Sequence, residues 1–157
     1  MLSNQKKEET LKFIIFSMGN LKLALGIDSV VRIIPLPEIH RSGDKLLGIT
    51  TYEDHEVLVI DLYKRIYGIE ANITQGFLVI LGGHRSLYGI TIATLPNVQD
   101  IPVQSLQPLP AEYRDRDTLG ISSHMMQVSI KKSDPQTVFL LDVELLLKMA
   151  SKNVSAK

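Results

Sequence analysis

The residues best able to do chemistry stand together in one short stretch. Within LLGITTYEDHEVLVIDL, residues 46–62, two apolar runs flank the polar segment Tyr52-Glu53-Asp54-His55-Glu56, which carries three carboxylates and an imidazole. Such a set could hold a metal, transfer protons, close a hairpin in solvent or present a surface to a partner. Its spacing discriminates among these. On a strand His55 points away from Asp54 and Glu56, so the three do not converge on one ion. No H-x-H or H-E-x-x-H spacing occurs, and the other histidines, His40, His84 and His124, read as lying in separate turns. A glycosidase pair drawn from Glu53 and Glu56 would sit on one tight turn, with no cleft between the two carboxyls. Neither G-x-S-x-G, G-x-x-x-x-G-K-[ST] nor G-x-G-x-x-G is present. The expectation is no catalytic residue, no metal and no cofactor.

Composition narrows the rest. Lys plus Arg and Asp plus Glu both number 17 in 157 residues, and no basic cluster exceeds two residues, which argues against nucleic acid. Aromatic content of 6% disfavours stacking platforms for bases or sugars. The absence of cysteine excludes disulfides, thiolate catalysis and Cys-bearing zinc sites. The polar N-terminus lacks a signal-peptide core, and no apolar run reaches the roughly 18 residues a membrane span needs. A cytoplasmic protein with short disordered ends is expected, ordered over about residues 12–149.

The elements that must position the polar segment are short. Apolar runs rich in Val, Ile and Leu alternate with turn residues, the pattern of an all-β protein with short helices. Phe13–Phe16 and Leu21–Leu25 flank Met18-Gly19-Asn20, a hairpin signal, with Leu21, Leu23 and Leu25 on one face. Pro35 and Pro37 then interrupt regular structure. The order of segments repeats. Phe13-Ile14-Ile15-Phe16 is echoed by Phe77-Leu78-Val79-Ile80, Leu47–Thr51 by Leu119–Ser123, and Val57–Leu62 by Val138–Val143. Two related β subdomains follow within a single domain, roughly 13–68 and 77–149, with a chain crossover between them possible. Asp61 and Asp142 fall where a strand ends, as N-caps of short helices over Leu62–Tyr67 and Val143–Met149, the first stopped by Gly68. Leu145, Leu146 and Met149 are the packing residues of the second helix. The polar segment is thus the tip of a hairpin, and its counterpart is a longer connection through Met125–Lys132 with an Asp134-Pro135 turn.

Laid out in halves, the chain resembles the CheW family of adaptors in bacterial chemotaxis-type signalling. The likeness spans about residues 12–148 and rests on five stretches in order: Phe13–Val30, Leu47–Leu62, Gly89–Val98, Ile101–Pro110 and Val138–Leu147. The resemblance implies two loose five-stranded β-barrels around separate cores. It implies a non-enzymatic role, coupling the cytoplasmic tip of a methyl-accepting receptor to a CheA-type histidine kinase. Protein-binding residues carried over by position are Val30, Arg32, Tyr52, Glu53 and Asp54, with Gly89 and Val98 in the second half; for Val30 and Val98 a core position is the competing reading. This chain departs from the family's pattern at two charged places. Arg32 stands where the family has Glu, and Glu53 where it has Arg. The exchange suggests that Arg32 and Glu53 pair on neighbouring strands with reversed polarity. Two other readings stay open: a divergent kinase or array regulator without receptor binding, and a small-molecule-binding β-barrel, for which the sequence shows no pocket of converging polar groups.

Overall fold

The computed structural model describes residues 9–41, 47–69, 73, 75–83, 86–110, 120–129 and 134–148. The terminal segments expected to be disordered, and His84, Leu119 and Met149, lie outside these residues.

Among the described residues, twelve strands and two short helices follow one another in an order that repeats. The first half runs β1 (Thr10–Met18), β2 (Leu21–Gly26), β3 (Val30–Pro35), β4 (His40–Arg41), β5 (Leu47–Tyr52), β6 (His55–Ile60) and α1 (Leu62–Tyr67). The second runs β7 (Phe77–Gly82), β8 (Leu87–Ile92), β9 (Asn97–Pro102), β10 (Gln107–Pro108), β11 (Ser122–Val128), β12 (Gln136–Leu141) and a helix α2 over residues 143–148. The strands form two sheets of like topology, β10-β11-β12-β2-β1-β9 and β4-β5-β6-β8-β7-β3. Each has five full strands and one two-residue edge segment, so the expected five strands per unit are present in both.

The halves interlock. The hairpin that opens each half joins the sheet built by the last four strands of the other half. One sheet therefore comes from both ends of the chain, here called the terminal sheet, and the other from residues 30–92, the middle sheet. The sheets do not divide at 68 and 77, where the repeat does, but between β2 and β3 and between β8 and β9. The seams are the parallel pairs β2–β12 and β8–β6, which align Ala24 with Leu140 and Gly89 with Val59.

Register refines the repeat. Ile15 faces Ala24 in one sheet and Ile80 faces Gly89 in the other, so Ile15 corresponds to Ile80, and Phe13 to Leu78 rather than to Phe77. Burial agrees: Phe13 and Ile15 line the core of the terminal sheet, Leu78 and Ile80 that of the middle sheet. Their neighbours Ile14, Phe16, Val79 and Leu81 all enter a third, larger core between the sheets. Strands covered on both faces carry continuous apolar runs, with no alternation to mark register, and a one-residue slip inverts every side chain. The middle echo is displaced further, because Leu47 faces Ile60 whereas the residue facing Leu141 is Ser122, just before a bulge. The shared core also takes Leu62 and Ile66 from α1 and Leu146 from α2, while Leu145 is turned outward. Fully burying one such side chain contributes about 1.5–3 kcal/mol.

Local chemistry sets the corners. The β1–β2 loop is Gly19-Asn20, with Gly19 at φ +62. A Cβ there would lie 2.6 Å from the Tyr67 hydroxyl. That hydroxyl donates to the Met18 carbonyl at 2.7 Å and accepts from the Asn20 amide at 3.2 Å, pinning the hairpin of the terminal sheet to α1. Asp61 caps α1 by accepting from Lys64 N–H at 3.0 Å, and Gly68 ends the helix at φ +77. Asp142 caps α2 by accepting from Leu145 N–H at 3.2 Å. Met125–Val128 belong to β11, so the connection to β12 is shorter than expected, and most of it lies outside the described residues.

Candidate functional site at the β5–β6 tip

Tyr52 faces His55 across β5 and β6, which leaves Glu53 and Asp54 as a two-residue loop. Their φ values are +47 and +67. Positive φ at both positions is the type I′ geometry that matches strand twist, usually supplied by Asn-Gly. Each non-glycine residue in this region costs about 1–2 kcal/mol, less for Asp, whose short side chain bonds locally. The other tight hairpin, at Gly19, meets its demand with glycine. The tip thus holds two exposed acids at strained positions.

Arg32 completes the site from β3. Its Nη1 donates to the Tyr52 hydroxyl at 3.2 Å and lies 3.9 Å from Glu53 Oε1, with the two charged side chains 62% and 67% exposed. The expected pairing is present, but not between neighbouring strands. β3 and β5 are four places apart in the ladder, about 19 Å if the sheet were flat at about 4.8 Å per strand. The contact therefore requires the middle sheet to roll. Thr50 Oγ1, donating to the Glu38 carbonyl at 2.8 Å, holds the segment leading into β4 against β5, and Ile34, Ile39 and the Tyr52 ring pack on the core inside.

The other carried-over residues divide. Val30 is half-buried against the shared core, at the start of the strand that presents Arg32. Gly89 is buried in β8, and a Cβ there would stand 2.7 Å from Leu78 Cδ1, so the backbone packs closely against the core at this point. Val98 is 55% exposed on β9, in the other sheet from Arg32. His40 and His124 lie on β4 and β11 and not in turns. No group of three or more His, Asp or Glu among the described residues is placed to hold a metal.

Sequence reading missed Arg41. It donates to Asp61 Oδ2 at 2.8 Å, with the two side chains 29% and 8% exposed. The cap of α1 is therefore also one end of a partly buried ion pair. Nothing in the twenty-residue separation signals it, since Arg41 reaches Asp61 only once β4 pairs with β5 and β5 with β6. Beside the pair opens a cavity of about 230 Å³ lined by Leu36, Pro37, Ile39, Arg41, Asp61, Ile73 and Thr91, a pocket with polar groups where none was expected.

Interlocked β sheets around a shared core, with a charged tip raised at one rim, define a two-barrel β module. The chain belongs to the family of CheW-like domains, whose model matches residues 12–151. Among solved structures it is similar to the scaffolding protein TtCheW from Thermoanaerobacter tengcongensis, with 16% identity, a TM-score of 0.70 and 90% of each chain covered. A search of curated proteins returns no match. No helix among the described residues is long and apolar enough to cross a membrane.

Proposed function

We propose that this chain is a non-enzymatic, cytoplasmic adaptor that joins a CheA-type histidine kinase to a chemoreceptor-type sensor in chemotaxis, phototaxis or twitching-type motility signalling. The carrying observation is the family match over residues 12–151. Val30, Arg32, Tyr52, Glu53 and Asp54 form the docking surface in this reading. Arg32, Tyr52 and Glu53 meet at one rim of the middle sheet, with Val30 at the start of the strand that carries Arg32, and strain in the Glu53-Asp54 loop is retained where glycine would relieve it. Val98, on the terminal sheet, belongs to a separate contact.

The reversed Arg32–Glu53 polarity favours a second reading, in which the kinase is bound and the receptor is not. Like charges brought together across an interface cost several kcal/mol, enough to reject a partner built for the opposite order. The deciding experiment is paired binding of the purified chain to a CheA-type kinase and to a receptor cytoplasmic fragment from the same genome. Binding to both supports the adaptor, binding to the kinase alone supports the regulator, and binding to neither overturns both.

A further inference from the structure

The mouth of the middle-sheet barrel holds a second candidate site, distant in character from the charged rim. Arg41 shares its sheet face with Gly48, Val59 and the interior core, because it pairs with Gly48 on β5. Thr91 pairs with Leu78, whose side chain lies in that same core. Both therefore point inward, over the apolar floor of the barrel. Leu36, Pro37, Ile39 and Ile73 supply the rest of the wall. The lining thus mixes aliphatic side chains with the polar groups of Arg41, Asp61 and Thr91, and barrel mouths are a common setting for small ligands.

The polar groups are unbalanced. Asp61 has both carboxylate oxygens engaged, Oδ1 by the Lys64 amide and Oδ2 by Arg41. Arg41 uses one nitrogen on Asp61, and its other N–H groups have no partner among the described residues. The Thr91 hydroxyl, on a residue only 7% exposed, likewise makes no hydrogen bond among them. What the cavity presents is therefore the remaining N–H groups of a guanidinium fixed in place by its ion pair, and a Thr91 hydroxyl able to donate, beside a carboxylate whose charge Arg41 offsets. A carboxylate supplies acceptors in the spacing a guanidinium fork matches. The cavity's 230 Å³ is below the roughly 300–1,000 Å³ of pockets that enclose drug-sized molecules. We propose that this cavity binds a small aliphatic carboxylate, its head on Arg41 and Thr91 and its chain on Leu36, Pro37, Ile39 and Ile73.

The test is a titration of the ¹⁵N-labelled full chain with sodium butyrate, with butan-1-ol and butylamine as chain-matched controls. The expected result is a saturable set of amide shifts centred on residues 36–41, 61 and 91, given by butyrate and by neither control. Arg41→Gln should weaken binding by about tenfold or more, as expected for loss of a charge-assisted pair. Because that change also frees Asp61 and threatens the fold, Thr91→Val, which keeps the shape, serves as the second variant and should weaken binding several-fold. Shifts that are equal for butyrate and butanol, that spread over the surface without saturating, or that persist unchanged in Thr91→Val overturn the proposal. Kinase and receptor binding are not read in this experiment, so its failure leaves the adaptor reading untouched.

Discussion

The two sheets share a topology and differ at the same corner. Where β6 enters α1, Asp61 caps the helix and also holds Arg41, with only 8% of its side chain exposed. Where β12 enters α2, Asp142 makes the cap, and no ion pair accompanies it among the described residues. β4 and β10 hold corresponding places in their sheets, yet the former supplies Arg41 and the latter ends in Pro108. Among the described residues, the repeated backbone thus carries a polar lock in one copy only. Cap loss alone costs about 0.5–2 kcal/mol, whereas removing one partner of a buried pair costs about 3–5 kcal/mol, reduced where the other partner reaches solvent. Asp61→Ala should therefore destabilise by about 2–4 kcal/mol and Asp142→Ala by about 1 kcal/mol in urea unfolding. Equal costs would mean that Arg41 contributes nothing beyond the cap.

The seams sharpen the same contrast. Ala24 and Gly89 occupy matching positions in β2 and β8, each beside the parallel partner strand. Ala24 is fully buried with its methyl accommodated, while a methyl on Gly89 would press on Leu78 and Val57 at 2.7 Å and 3.3 Å. Gly89→Ala should cost about 1–3 kcal/mol by overpacking. Ala24→Gly should cost about 0.5–1 kcal/mol, through backbone entropy. Should Gly89→Ala prove neutral in thermal melting, the middle-sheet core is looser than its contacts imply.

How much of this could be read from the chain depends on the range of the interaction. The Gly19-Asn20 hairpin, the Asp61 and Asp142 caps and the Gly68 stop are local, set within a few residues, and each appears where its signal lies. The exchange of hairpins between halves is not local, and nothing in Phe13–Phe16 says which strand it pairs with beyond β2. Register failed for the reason that makes those strands strong: apolar residues on both faces erase the period of two. At the rim, Arg32 and Glu53 were found through their departure from the family's pattern, whereas Arg41 carried no local signal and stayed hidden. Gly89 was carried over as a binding residue by position, and a matching motif does not report that it is buried.

The two tight hairpins give a smaller test. Gly19 answers a positive φ with glycine, whereas Glu53 and Asp54 answer it at φ +47 and +67 with side chains. Replacing Glu53-Asp54 with Asn-Gly should stabilise the fold by about 1 kcal/mol and raise the melting temperature by a few degrees. If these acids serve docking, the same change should weaken partner binding while it strengthens the fold, the trade expected of strain kept for function. Stabilisation with unchanged binding would leave the loop as a plain turn.

The smallest effect on stability belongs to the Arg32–Glu53 pair, and its interest lies in the gap between folding and binding. At 3.9 Å and more than 60% exposed, the pair should show a coupling of only about 0.2–1 kcal/mol in a double-mutant cycle on unfolding. Tyr52 complicates the cycle, because Arg32 also donates to its hydroxyl, and Arg32→Glu loses both contacts where Glu53→Arg loses one. Arg32→Glu should therefore cost slightly more than Glu53→Arg, and the double exchange should recover most of the loss. That double exchange restores the polarity of the family's pattern on an unchanged fold. Measured on binding, it should alter the preference among receptor fragments by about tenfold or more, since charge order at an interface acts chiefly on partner choice. Additive effects on folding together with no change in binding would remove the pair from the docking surface and leave the reversed charges as exposed neighbours.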